Sequence, residues 1–215
     1  MHHISPSGTA IRRLVQGCAF LCVLLLGVIL YKDYGIAFDE PINRRNGGIS
    51  FNAVVNIANE TLSTTFFEND PETKQFNTDL NHYLDRDYGV AFDLPVFFLE
   101  RILRLNDSRS QYQFRHIITF LVFLAGLAAV YRIALLRFSD WRLATLAAAM
   151  LLLSPRMFAE GFYNNKDIVF MSAFVVAGFT MLKFLLKPTL PGGVVHALAS
   201  AVAIDIRIMA VMIPL

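Results

Sequence analysis

Cysteine is nearly missing from this chain. Its two thiols, Cys18 and Cys22, stand four residues apart in one apolar stretch, with no cysteine elsewhere. Residues at that spacing share a helix face, so there is no disulfide framework to read and the redox compartment stays open. Cys/His metal-ligand clusters are missing as well: His2 and His3 sit at the N-terminus and the other three histidines are scattered. Charge is sparse, at 17% Asp, Glu, Lys and Arg, against about a quarter in soluble domains. The net charge is only +2 and the basic residues do not cluster, which gives a nucleic-acid partner no footing.

What is there instead is oil. The 215 residues are 55% hydrophobic, include 19 phenylalanines and have a mean hydropathy of +0.50, the composition of a membrane protein. Residues 14–31 (LVQGCAFLCVLLLGVILY) carry no charge and suffice for one crossing. Arg12 and Arg13 precede them and no A-x-A-like cleavage site follows, so this stretch reads as an uncleaved first helix. Further spans are expected at 116–136, 143–161, 168–186 and 193–215. Arg12 and Arg13, then Arg137 and Arg142, then Lys183 and Lys187 flank alternate ends of these spans, with Asp140 as the one acid among them. Segment 32–115 holds 13 acids and 9 bases. The positive-inside rule then predicts an N-terminus in the cytoplasm, five crossings, and 32–115 and 155–167 on the opposite face. The expected organisation is a cytoplasmic N-terminus with the first transmembrane helix (1–31), a non-cytoplasmic loop with amphipathic helices (32–115), and transmembrane helices 2–5 (116–215). The fold class is all-α, a multi-pass helical membrane protein. A chain ending at VMIPL, within span 5, reads as the N-terminal portion of something longer.

The outer segment is patterned. Residues 50–66 place Phe51, Val54, Val55, Ala58 and Leu62 on one helical face, with Asn46-Gly47-Gly48 read as a preceding turn and Ser50 as its N-cap. A short helix is expected from Pro71. LPVFFLERILRL (94–105) is apolar enough to lie on a bilayer surface. The sequons at Asn59 and Asn106 fall on this side.

Two carboxylate turns of one design stand out: DYGIAFDEP at 33–41 and DYGVAFDLP at 87–95. In the first, Pro41 biases Glu40 away from helix, so Asp39 and Glu40 are expected on an extended turn eight and nine residues beyond Tyr31. Adjacent carboxylates suit a general base or a cation site, although acidic pairs in loops are more often simply solvated. The second copy lacks the glutamate, and Asp93 reads as structural. A third acid, Asp167, follows Asn164, Asn165 and Lys166 directly before span 4. It suits a helix N-cap. Topology also returns it to the face of Asp39 and Glu40, with Arg156 and Lys166 as cations nearby. Carboxylates beside cations at a membrane surface match a lipid-phosphate substrate and an acceptor that loses a proton. Asp205 and Arg207 fall inside span 5, where ionisable groups are costly. Arg207 either snorkels outward or points at a phosphate on the outer side.

A first span, an outward DEP turn, an amphipathic outer segment, Arg115-His116 before span 2, and then SPRMFAEGFYNNKDIVF together resemble the GT-C class of membrane glycosyltransferases. More narrowly, the chain is similar to glycosyltransferase family 39, the group of protein O-mannosyltransferases and lipid A aminoarabinose transferases, from span 1 to Arg207. The resemblance implies a polyprenyl-phosphate-linked sugar as donor and a lipid, glycan or protein acceptor. It implies inverting transfer on the non-cytoplasmic face, which is the inner membrane in a bacterium and the endoplasmic reticulum in a eukaryote. It implies Asp39 as base or acceptor-orienting acid, Glu40 completing that motif, and Asp167 as the second acid. Arg156, Asn164, Asn165, Lys166 and Arg207 are the implied substrate-binding residues. No cofactor is required with certainty; the paired carboxylates leave room for a divalent metal without calling for one. The lysine-proline-proline stretch of some relatives is absent, FDLPVFFLE standing in its place, and Asp205 replaces a small residue. Without the family's later spans the piece in hand is expected to be inactive alone. Two rivals remain: a transporter or flippase of lipid-linked substrates, in which the same acids line a pathway, and a non-enzymatic membrane scaffold. The large outer segment disfavours the first, and the convergence of three acids disfavours the second.

Overall fold

The computed structural model describes residues 6–214, with side chains from Leu14 onward, so His2, His3 and the side chains of Arg12 and Arg13 lie outside the described residues. Among the described residues the chain is all-α, with no strand. Nine helices follow in order: α1 (Pro6–Leu30), α2 (Glu40–Leu62), α3 (Pro71–Gln75), α4 (Asp93–Ile102), α5 (Ser108–Phe138), α6 (Trp141–Leu152), α7 (Pro155–Tyr163), α8 (Asp167–Leu186) and α9 (Leu190–Ile206).

By length and composition, α5 and α8 qualify as membrane crossings, and α6 with α7 make a third if the bent pair is one span. Leu14–Leu30 and Leu190–Ile206 are shorter apolar helices. The expected span at 143–161 is broken by 67° between α6 and α7. Pro155 causes the break: it has no N–H to continue the ladder, and it drives Ser154 to extended backbone at ψ 114°. The expected span at 193–215 is helical only to Ile206; Arg207 is extended at φ −150° and a 3-10 turn follows over Ile208–Met212.

Specific contacts fix the direction of each element. Gln16 donates to the Tyr131 hydroxyl, and His116 Nδ1 lies 3.3 Å from the Tyr31 carbonyl, so α1 and α5 are antiparallel. Phe162 stacks on Phe120 at 4.6 Å while Ala144 and Ala148 share a core with Leu127 and Tyr131, so α6–α7 returns alongside α5. Thr180 meets His196 at 3.1 Å and Asp167 meets Arg207, so α9 runs antiparallel to α8. The C-termini of α1, α7 and α9 and the N-termini of α5 and α8 are thereby gathered at one end. Arg137, Arg142, Lys183 and Lys187 lie at the other.

The segment between α1 and α5 departs from its expected form in two places. Asn46-Gly47-Gly48 is no turn; α2 runs straight through it. The glycines serve packing: a Cβ on Gly47 would stand 2.6 Å from the Asp93 carbonyl oxygen, and one on Gly48 would stand 2.8 Å from the Phe76 ring. Glu40 is helical, the first residue of α2, because Pro41 sits in the first turn, where a missing N–H costs nothing. The buried side of α2 accordingly begins with Glu40, Asn43, Arg44 and Gly47 and continues to Phe51 and Val55, while Val54 and Leu62 face outward. In α4, Val96 and Phe97 turn inward together with Glu100 and Arg101, while Phe98, Leu99 and Ile102 face outward, so the exposed face is apolar and the buried one mixed. Phe51, Val55 and Phe97 form the small apolar core between α2 and α4.

Because the atom facing Gly47 is backbone, Gly47→Ala should cost about 1–3 kcal/mol through overpacking. Gly178→Ala in α8, whose Cβ would meet nothing within 4 Å, should stay within about 1 kcal/mol of the parent. Thermal unfolding of both variants in detergent checks the contrast.

Candidate functional site

The two copies of the DYG turn each open a helix, and their aspartates have opposite surroundings. Asp39 is the N-cap of α2; it is exposed, and its side chain makes no capping hydrogen bond. Asp93 opens α4 and is 9% exposed. Its Oδ1 accepts from Arg115 Nη1 at 2.7 Å and from Asn165 Nδ2 at 3.2 Å. Burial pushes the Asp93 carboxyl above the ordinary aspartate range, and the Arg115 charge pulls it back.

Arg115 is the hub. It is fully buried, and its Nε donates to Glu100 Oε1 at 2.7 Å. Glu100 Oε2 accepts from Arg44 Nε at 3.0 Å, and Arg44 Nη2 reaches Glu72 at 3.0 Å. On the other side of the network, Asn165 Oδ1 accepts from Asn43 Nδ2 at 2.8 Å. One chain of polar contacts therefore joins α2, α3, α4, α5 and the loop between α7 and α8. Removing one member of such a network strands a charge in low dielectric, which is why the chain has to be complete.

Glu40 is buried at 0% exposure and points away from Asp39. Its Oε2 accepts from the Ala37 N–H at 2.8 Å, and its two oxygens stand 3.2 and 3.3 Å from His116 Nε2. The Oε1 contact is off-angle, leaving that atom without a hydrogen-bond partner among the described residues. Glu40 thus ties the first turn to α5 and does not open to solvent. The expectation of two acids side by side on an extended turn gives way to one outward aspartate and one inward glutamate.

Asp167 is exposed at the start of α8, where the helix dipole favours an anion. Its cation is Arg207. The expected neighbours are engaged elsewhere: Arg156 Nε donates to Glu160 at 2.6 Å, and Lys166 Nζ stands 4.2 Å over the Tyr88 ring with no carboxylate in ion-pair range among the described residues. Asn164 donates to both Glu160 and Asp167, and its Oδ1 accepts from the Asp167 N–H at 2.8 Å. Asp205 and Arg207 do not lie inside a continuous helix running to 215; they mark the end of α9, and Asp205 accepts from the Ala91 N–H at 2.7 Å. Gly89 permits that docking, since a Cβ there would lie 1.5 Å from the Asp205 carbonyl oxygen.

An open cavity of about 580 Å³ results, with Tyr88, Lys166, Asp205, Arg207, Ile208 and Met209 in its wall. It sets two cations, the carboxylates of Asp87 and Asp205 and an aromatic face beside an apolar strip. The structure therefore brings Lys166, Arg207 and Asp167 together, joins the loop carrying Asn165 to the first turns of α2, and leaves Arg156 outside. Among the described residues no three His, Cys, Asp or Glu side chains converge as a metal site. The sequon Asn59 is committed to the 64–66 turn, donating to the Phe66 carbonyl at 3.0 Å and accepting from the Phe66 N–H at 2.8 Å.

Sequence reasoning passed over Asn43, Arg44, Glu100 and Tyr88, and took Arg115 and His116 only as a marker ahead of span 2. The available signal was their period: Glu40, Asn43, Arg44 and Gly47 follow helical spacing on α2, as do Asp93, Val96, Phe97 and Glu100 on α4. Searching for apolar stripes passes over stripes made of charge.

Comparison of the chain with protein-family models, with curated proteins and with solved structures finds no match.

Arg115→Met, which leaves Asp93 and Glu100 without their shared cation, should lower stability by about 3–5 kcal/mol. Glu160→Gln breaks the Arg156 pair, whose arginine side chain is 83% exposed, and should change stability by less than about 1 kcal/mol. Detergent unfolding curves of the two variants against the parent test this.

Proposed function

We propose that this end of the molecule transfers a sugar from a polyprenyl-phosphate-linked donor to an acceptor hydroxyl or amine on the non-cytoplasmic membrane face, as in GT-C glycosyltransferases. The observation that carries the reading is the buried Asn43–Asn165 bond of 2.8 Å. It brings the N-terminus of α2, with the exposed Asp39, to the loop that leads into Asp167. The loop end also lies opposite the end bearing Arg137, Arg142, Lys183 and Lys187, and basic residues of that kind mark a cytoplasmic side.

In this reading the donor phosphate lies between Lys166 and Arg207, and its prenyl chain runs along Ile208 and Met209 toward the bilayer. Lys166, with no carboxylate in ion-pair range among the described residues, supplies a positive charge, and Asp167 holds the Arg207 guanidinium in place. The acceptor atom attacks the anomeric carbon as the bond from that carbon to the phosphate oxygen breaks. The proton of the acceptor passes to Asp39, and the electron pair leaves with the polyprenyl phosphate, steadied by the two cations. A single displacement inverts the anomeric centre. Glu40 contributes by fixing the turn beneath Asp39. No step is routed through a metal.

With the full-length protein in membranes supplied with a panel of labelled polyprenyl-phosphate sugars, the parent should consume one donor. Asp39→Asn should lower that turnover about 10²–10⁴-fold, and Asp167→Asn should lower it as well, with both variants expressed and inserted. Donor that crosses the membrane uncleaved would establish the flippase reading instead. Unchanged behaviour of parent and both variants across the panel would leave the scaffold reading.

A further inference from the structure

We propose that Arg115 is a positioning residue for this site: by holding Asp93 as an acceptor-only carboxylate it sets the direction of the Asp93–Asn165–Asn43 hydrogen-bond relay, and so the spacing between Asp39 and Asp167. The inference rests on the sugar-transfer reading for its catalytic consequence and on geometry alone for its structural one.

Hydrogen-bond polarity sets the direction of the relay. An ionised carboxylate can only accept, so the side-chain amide of Asn165 must turn its NH2 toward Asp93 Oδ1. Its oxygen then faces away and accepts from Asn43, whose NH2 in turn has one allowed orientation. Asn165 and Asn43 are 3% and 6% exposed, so bulk water does not compete for either bond. If Asp93 lost its charge it could donate as well as accept, and both amides would gain a second orientation. Arg115 removes that freedom: its Nη1 is 2.7 Å from the same oxygen, its side chain is fully buried, and its Nε is anchored on Glu100.

Both ends of the relay lie next to a reacting group. Asn43 is one helical turn from Asp39, and its N–H donates to the Asp39 carbonyl at 3.0 Å. Asn165 is two residues before Asp167. A second tie holds the same two segments further out, where Tyr34 stacks on Phe162 at 4.4 Å. Cutting the relay should therefore loosen the alignment of the two acids without unfolding the protein. The second DYG turn thus carries no chemistry itself but orients the first.

The test uses the full-length protein in nanodiscs, with Cys18 and Cys22 replaced by serine and spin labels at Phe38→Cys and Asp167→Cys. Electron–electron distance measurements should give one narrow distribution. Asn165→Leu, which keeps the branched shape and removes both bonds, should broaden or split it, and so should Arg115→Met. Arg115→Lys should fall between. Leu127→Ala, a core cavity far from the relay, should leave it narrow although it too lowers stability. Without the labels, Asn165→Leu should reduce kcat about 10–100-fold with donor KM within about twofold. An unchanged narrow distribution in Asn165→Leu overturns the proposal, and so does an equal broadening in Leu127→Ala. Broadening in Asn165→Leu alone, in a parent that consumes no donor, supports the relay and overturns the sugar-transfer reading.

Discussion

A guanidinium with no access to solvent, at the entrance of a membrane-crossing helix, has to be neutralised where it stands. Arg115 meets that constraint with two carboxylates, Asp93 at 2.7 Å and Glu100 at 2.7 Å, from a helix that precedes it in the chain. Asp93 opens α4 and Glu100 lies two turns further along the same face, so α4 must lie across the end of α5. Glu100 is shared with Arg44, which fixes α2 beside α4, and Asp93 is shared with Asn165, which fixes the loop before α8. The glycines at 47 and 48 and the phenylalanines at 51 and 97 then close the contact between α2 and α4. Charge neutralisation and helix placement are one requirement here.

The same constraint explains why the two DYG turns differ in role. The first is held from below by Glu40 on His116, which leaves its aspartate outward. The second is held from two sides, by Arg115 on Asp93 and by Asp205 on the Ala91 N–H, which leaves its aspartate inward. A nearly identical nonapeptide presents an exposed carboxylate in one setting and a buried bracket in the other; what surrounds each decides. The cavity bounded by Tyr88, Lys166 and Arg207 exists because the second turn is docked against the end of α9.

Much of this was legible in the residues. The all-α class, the first apolar helix, α5 and α8, the short helix at Pro71 and the return of Asp167 to the end that carries Asp39 and Glu40 followed from hydropathy, breakers and the alternation of basic ends. The kink between α6 and α7 was announced by Pro155, yet hydropathy averages over a bend and read one straight span. The run through Gly47-Gly48 was misread because glycine usually punctuates, and only the backbone of α4 beside it gives the reason for helix. The network at Arg115 was illegible for a deeper reason: polar residues signal solvent until their partners, 15 to 122 residues away along the chain, are known. Arg115 and His116 at the head of an apolar span were the visible clue, since charge there asks for a partner.

The proposed sugar transfer requires the cavity between the second turn and the end of α9 to take a lipid-linked sugar phosphate against Lys166 and Arg207. Photo-crosslinking in native membranes tests it most directly, using a polyprenyl-phosphate sugar that carries a diazirine on its first isoprene unit, followed by peptide mapping. The account predicts label within 87–92 and 204–212, abolished by excess unlabelled donor. Label confined to the lipid-facing surfaces of α1 or α8, or unaffected by competing donor, would contradict it.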